Sequence, residues 1–192
     1  MKFGIIKERK NPPDRRVVFT PEELVRLQSE HPEAEIKVES SDVRIFSDDQ
    51  YRNLGLNVTT DMTDCDVLFG VKEVPIDALI PNKKYFFFSH TIKKQPYNRK
   101  LLQAILAKNI ELYDHETIVN ASNHRLIGFG RYAGLVGAYN GFRGFGIKYD
   151  LFTLPKAETL SGKEDLIARL KRQTLPNIKI VLTGHGKVGM GA

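Results

Sequence analysis

The sequence predicts an α/β fold, a mainly parallel sheet with helices on both faces. Three observations carry that expectation. Apolar runs of strand length, Val67-Leu68-Phe69-Gly70-Val71 and Tyr85–Phe88 above all, lack polar alternation, as strands buried on both faces do. Segments with helical apolar spacing stand between such runs. The runs also stop at titratable residues, Lys72-Glu73 and Ser89-His90. In open α/β sheets ligands bind beyond the carboxyl ends of the strands, so two neighbouring strands would offer a Lys and a His to one crevice. Either residue alone is most often a solvated loop residue. The pairing is more informative.

Taken in order, Phe3–Ile6 is a first strand, followed by the charged loop Lys7–Arg16 with Pro12-Pro13 in it. Thr20-Pro21-Glu22-Glu23 is a helix start: Thr caps, Pro fits the first position, and Glu suits the first turn. That helix reaches about Glu30, before His31-Pro32. Ile36–Val38 is a short strand, Asp48–Leu54 a short helix closed by Gly55, and Val58–Asp64 a lead into the Val67 strand. Pro75–Leu79 suits a helical turn. Asn98–Lys108 is an amphipathic helix with apolar Leu101, Leu102 and Ile105 among polar residues, and Ile110–Tyr113 is another strand before Asp114-His115-Glu116. Arg125–Phe129 is an apolar stretch ending in Gly130.

Tyr132–Tyr149 is expected to be a long helix with Gly134, Gly137, Gly141 and Gly144 on one stripe. Each glycine costs a helix about 1 kcal/mol relative to Ala, so something must offset it. Tight packing against another backbone is the favoured account, and a bound ligand the sharper alternative. Asp150–Asn177 has a connector's composition, with Pro155, Ser161-Gly162-Lys163, a helix around Glu164–Lys171, and Pro176. Ile178–Leu182 is an apolar strand run, and Gly184-His185-Gly186-Lys187-Val188-Gly189 follows it directly. A G-x-G-x-x-G after a strand is a dinucleotide fingerprint, with Gly184 for the turn, Gly186 for pyrophosphate approach and Gly189 for close packing. The chain therefore divides into a substrate domain (1–149), a connector (150–177) and the first strand and glycine loop of a dinucleotide-binding domain (178–192). It is expected to be an N-terminal piece of a larger enzyme, inactive by itself.

Composition narrows the class. The net charge of +6 is spread among interleaved acids, which favours attraction of acidic small molecules, or plain solvation, over a nucleic-acid stripe. No apolar run reaches transmembrane length, and Phe3–Ile6 is too short for a signal-peptide core, so a cytoplasmic setting is expected. Cys65 is the one cysteine, which rules out an internal disulfide. No metal site is expected.

Several stretches together resemble the saccharopine dehydrogenase (lysine-forming) and lysine–2-oxoglutarate reductase family, related to alanine dehydrogenase and the transhydrogenase N-terminal domain. They are Arg15–Pro21, Gly70–Pro75, Phe87–Lys93, Leu112–Glu116 and Phe129–Gly134. Ser89-His90-Thr91-Ile92-Lys93 resembles the lysine–2-oxoglutarate reductase spelling in particular. The resemblance implies a nicotinamide-dependent enzyme, using NAD or NADP, that condenses lysine with 2-oxoglutarate and reduces the imine to saccharopine. It matches Lys72 and His90 to the acid–base pair, and Glu73 and Glu116 to supporting acids. Arg16 and Arg125 match carboxylate-binding positions, with Lys10 a weaker candidate in the same loop. Arg131 departs from the family, where an uncharged residue is common. An alanine dehydrogenase-like enzyme and a non-catalytic ligand-binding domain stay open as alternatives, and homo-oligomerisation is compatible with all three.

Overall fold

The computed structural model describes residues 1–192. They form two compact units, Met1–Ile127 and Gly128–Ala192. The first holds strands β1 (Lys2–Ile5), β2 (Glu35–Glu39), β3 (Asn57–Thr59), β4 (Val67–Phe69), β5 (Lys84–Phe87) and β6 (Glu111–Asp114). It also holds helices α1 (Pro21–Glu30), α2 (Asp48–Arg52) and α3 (Arg99–Ala107). The six strands make one sheet in the order β3-β2-β1-β4-β5-β6, and every pairing is parallel. This is the expected fold class.

Local chemistry starts the two helices that precede β2 and β3. Thr20 and Ser47 each accept a hydrogen bond from the amide three residues on, while Glu23 and Gln50 reach back to the cap amide. These are capping boxes, each contributing about 1 kcal/mol. Pro21 sits at the first helical position of α1, where its missing N–H costs nothing.

The pleat then separates two cores, because successive strand residues point to opposite faces. Ile5, Val38 and Phe69 lie in register and bury one face with Leu24 of α1 and Tyr51 of α2. Leu68, Tyr85 and Phe87 bury the other with Leu101 and Ile105 of α3, Leu79, Met62 and Cys65. Full burial of each large side chain contributes about 1.5–3 kcal/mol. Within the aromatic run, Tyr85 and Phe87 are fully buried, whereas Phe86 is half-buried and stacks between Phe69 and Tyr113, at 4.7 and 4.6 Å. β3 was not expected, since Asn57-Val58-Thr59 offers a single apolar residue. It forms because β2 supplies a ladder for it.

The second unit contains α4 (Gly130–Lys148) and α5 (Lys163–Lys171), packed around Tyr139, Leu154 and Leu166. The Tyr139 hydroxyl donates to the Pro155 carbonyl at 2.8 Å, and Arg143 Nε to that of Leu154 at 3.0 Å. The glycine stripe behaves differently from the expectation. A Cβ on Gly134 would collide with the backbone of Val188, but Gly137, Gly141 and Gly144 have open space around them. Gly146, outside the stripe, is the other tight position, where a Cβ would lie 2.5 Å from the Phe152 ring and carbonyl.

Ile178–Leu182 is likewise not a strand in the structure. A parallel strand gets its backbone hydrogen bonds from its neighbours, and none pairs with this segment, so Ile180, Val181 and Leu182 stay exposed.

These contrasts set a test within one helix. Gly144→Ala should raise the stability of the second unit by about 1 kcal/mol through helix propensity alone. Gly146→Ala should lower it by about 1–3 kcal/mol through overpacking. Urea unfolding followed by circular dichroism measures both, and equal effects would contradict the packing described here.

Candidate functional site at the carboxyl ends of β1, β4, β5 and β6

The strand order reverses direction between β1 and β4, and such a switch point leaves a crevice at the carboxyl ends. The loop after β1 carries Glu8, Lys10, Asp14 and Arg16. Lys72 and Glu73 follow β4, His90 follows β5, and Glu116 follows β6. The sequence-derived candidates of the first unit thus come from adjacent strand ends, and Arg125, bridged to Val119 in the loop after β6, meets them at Glu116.

Glu73 is the hinge of the polar network. One carboxylate oxygen lies 2.6 Å from His90 Nδ1 and the other 3.0 Å from Lys10 Nζ. Burial works against ionisation of Glu73, but the bonds from His90, its own backbone amide and Lys10 outweigh it and hold the carboxyl below its ordinary range. His90 sits in the left-handed region at φ 57°, an uncommon conformation for a residue with a Cβ. It is held there by its neighbours. Ser89 is fully buried and donates to Asp114, the Asn98 amide donates to the His90 carbonyl at 3.0 Å, and the His90 ring stacks near Phe88.

Arg16 and Asp14 form a two-pronged pair, Nε to Oδ1 at 2.9 Å and Nη2 to Oδ2 at 2.5 Å. The guanidinium bond is the main cause that holds Asp14 below the ordinary carboxylate range, and the charge of Lys72 adds to it. Lys72 and Arg16 therefore act on one carboxylate. Glu116 lies 3.4 Å from Lys93 and 3.6 Å from Arg125, and Arg125 lies over the Phe88 ring at 6.0 Å. The other Glu116 oxygen is buried without a hydrogen-bond partner. Such a carboxylate favours a cationic neighbour.

Sequence reasoning missed four of these residues. Asp14 carries no signal beyond its spacing of two from Arg16. Asp114 is buried and receives the Ser89 hydroxyl while its Oδ1 accepts the Glu116 amide at 2.8 Å. His115 is buried, with Nε2 at 3.1 Å from the Gly70 carbonyl and Nδ1 unpaired, and burial lowers its pKa. Glu8 is half-buried, and its burial raises the carboxyl pKa against two backbone hydrogen bonds that lower it.

In the second unit, two glycines of the loop are sterically required, although the loop follows no paired strand. Gly184 takes φ +96°, which a side chain rarely adopts, and a Cβ on Gly189 would lie 2.4 Å from the Gly184 carbonyl. Met190 N bonds Gly186 O at 2.9 Å and Ala192 N bonds Val188 O at 3.2 Å, one turn of helical pattern. The close Gly184–Gly189 approach fits a dinucleotide loop, in which the first glycine turns the chain and the third lets it pack.

The buried, neutral His115 generates a prediction. Its folded pKa lies below the ordinary 6.5, so the unfolded chain takes up a proton that the folded chain refuses. Stability should fall as pH drops below 6.5, by at most about 1.4 kcal/mol per pH unit from this group. Urea midpoints between pH 7.5 and 5 for wild type and His115→Leu measure it. The variant should show a shallower decline, and parallel curves would refute the assignment.

Comparison with known proteins identifies the family. Residues 4–136 match the family model described as alanine dehydrogenase/PNT, N-terminal domain. The chain is 30% identical to alpha-aminoadipic semialdehyde synthase of Arabidopsis thaliana over 98% of its own length and 20% of that protein's. It is 27% identical to saccharopine dehydrogenase [NAD(+), L-lysine-forming] of Yarrowia lipolytica, over 82% of this chain and 47% of the relative. The chain thus spans under half the length of these relatives. Among solved structures, an L-alanine dehydrogenase superposes with a TM-score of 0.61 at 19% identity, covering 78% of this chain and 42% of that one. A transhydrogenase from Sinorhizobium meliloti gives 0.60 at 18% identity, covering 82% and 48%. At that identity the structures speak for the fold, and the sequence match for the kinship. The chain belongs to the alanine dehydrogenase/PNT N-terminal domain family.

Proposed function

We propose that this chain is the substrate-binding part of a nicotinamide-dependent oxidoreductase of saccharopine dehydrogenase type, which reversibly condenses lysine with 2-oxoglutarate and reduces the imine to saccharopine. The observation that carries the reading is the convergence at one end of the sheet of two proton carriers and two arginines. Lys72 and His90 carry protons, His90 bonded to Glu73. Arg16 and Arg125 receive substrate carboxylates, with Lys10 in support. The names of the Arabidopsis and Yarrowia relatives agree with it.

The chemistry needs these groups. The lysine side-chain amine attacks the keto carbon of 2-oxoglutarate, the carbonyl oxygen takes up a proton, and the adduct loses water to leave the imine. Each step moves a proton at nitrogen or oxygen, and a positioned acid–base group contributes about 10²–10⁴-fold. Lys72 and His90 divide that work, with Glu73 bonded to the His90 ring and Glu116 paired instead with Lys93 and Arg125. Guanidinium forks bind the carboxylates of the keto acid. NAD or NADP, when bound, supplies the hydride. Gly184, Gly186 and Gly189 would hold its phosphates. Residues 1–149 then serve the substrates, 150–177 connect, and 178–192 open the nucleotide site. A cytoplasmic setting belongs to the same proposal, although the bovine relative is named mitochondrial.

The test is reductive turnover by the intact enzyme with lysine plus 2-oxoglutarate against ammonia plus pyruvate. Turnover with the first pair supports the proposal, and with the second pair alone replaces it by an alanine dehydrogenase-like reading. Lys72→Met and His90→Gln should each lower kcat by at least about 10²-fold. Arg16→Lys should raise KM for the keto acid more than it lowers kcat. The 192 residues alone are expected to bind NADH weakly, because their glycine loop rests on α4 and follows no paired strand. Micromolar binding by calorimetry would contradict this.

A further inference from the structure

Beyond Phe69 the strand β4 loses its partner on one side. Ile6 N bonds Phe69 O at 2.9 Å, and that is the last backbone bond from the β1 side. On the β5 side Phe88 N still reaches Val71 O at 3.0 Å. The Val71 and Lys72 amides are left to find an acceptor, and a buried amide without one costs about 1–3 kcal/mol. Glu8 supplies both. Its Oε1 accepts from Val71 N at 2.7 Å and its Oε2 from Lys72 N at 2.8 Å. One carboxylate from the loop after β1 thus continues the ladder across the switch point of the sheet. A Cβ on Gly70 would crowd the Ile6 side chain at 3.0 and 3.1 Å and only touch Glu8 Oε1 at 3.5 Å, so Gly70 relieves Ile6 beside the clamp.

We infer that Glu8 is the positioning residue of Lys72, clamping the two amides that set where the lysine leaves the sheet. The inference rests on the proton-carrying role of Lys72 proposed above. The clamp reaches further than one residue. Glu73 follows directly and holds both His90 and Lys10, so a loosened strand end moves all three. A carboxylate is needed in particular. Both its oxygens accept, whereas an amide offers one acceptor and sets an N–H against the second backbone N–H. A shorter Asp reaches one methylene less far.

Glu8→Gln and Glu8→Ala in the intact enzyme test this by two readouts. In hydrogen exchange, the Val71 and Lys72 amides should exchange at least about tenfold faster in both variants, while Leu68 and Phe87 stay protected. In steady-state kinetics, kcat should fall about 10²-fold in Glu8→Ala and less in Glu8→Gln, which keeps one acceptor. KM for the keto acid should change less than kcat does, because the Arg16–Asp14 and Arg125–Glu116 pairs do not depend on the clamped amides. Protection that persists at both amides overturns the inference, and so does lost protection with unchanged kcat, which would make Glu8 a structural cap only. If Glu8→Ala fails to fold, the near-isosteric Glu8→Gln carries both readouts. An enzyme silent with lysine plus 2-oxoglutarate in its wild-type form sinks the functional reading instead, and the amide exchange still decides whether Glu8 clamps the strand end.

Discussion

A parallel sheet whose strands all stop at one edge leaves backbone donors there with no ladder to join. The rest of this site follows from how they are met. Lys7 N, just past β1, bonds the buried Glu39 at 2.9 Å, the two amides past β4 bond Glu8, and Glu116 N, past β6, bonds Asp114. Carboxylates do this well, because a charged acceptor makes a stronger bond to an amide than a neutral one does. The consequence is a cluster of negative charge at the strand ends, in a place where the proposed substrates also bring carboxylates. The cations of the loops balance the strand-end acids, and in the proposed function they also receive a substrate.

That double demand explains the internal pairing. Arg16 holds Asp14 in the geometry it would offer a substrate carboxylate, Arg125 and Lys93 share Glu116, and Lys10 shares Glu73 with His90. Each pair keeps a long side chain in place and gives a carboxylate a cationic neighbour, although one Glu116 oxygen stays without a hydrogen-bond partner. Each must also loosen or share when an acid enters. A ligand with a single carboxylate meets that competition once, whereas one with several can spread it over several cations. Under the proposed function, acidic substrates are selected by contest between carboxylates rather than by an empty cationic pocket.

The sheet was largely legible because its strands announce themselves. Two-sided burial removes polar alternation, so Val67–Phe69 and Tyr85–Phe87 could be placed to within a residue or two, and the Thr20-Pro21 helix start marked α1. β3 was not legible, since an edge strand of Asn57-Val58-Thr59 depends on its neighbour rather than on its own composition. Ile178–Leu182 failed in the opposite sense. Its composition is that of a strand, but hydrogen bonding is not local. The glycine stripe misled for a related reason: spacing shows which residues share a helix face, not what lies opposite. Of the candidate site, Lys72, Glu73 and His90 could be singled out because they follow apolar runs. Glu8 could not, because its role lies in backbone amides more than sixty positions away.

His90 shows how those layers join. Its left-handed backbone is unfavourable by itself, and several contacts over-determine it: Ser89 to Asp114, Asn98 to its carbonyl, Glu73 to its ring. The Ser89–Asp114 bond ties the end of β5 to the end of β6, and the Glu73 bond ties it back toward β4. A ring fixed from both neighbouring strands has little freedom to swing away from the crevice. The same Asp114 accepts the Glu116 amide, so the acid after β6 is placed by the side chain that secures His90. Glu8 does the equivalent for Lys72 from the β1 side. The two proposed proton carriers are thus positioned through hydrogen bonds between adjacent strand ends, and they inherit the rigidity of the sheet although both stand in loops.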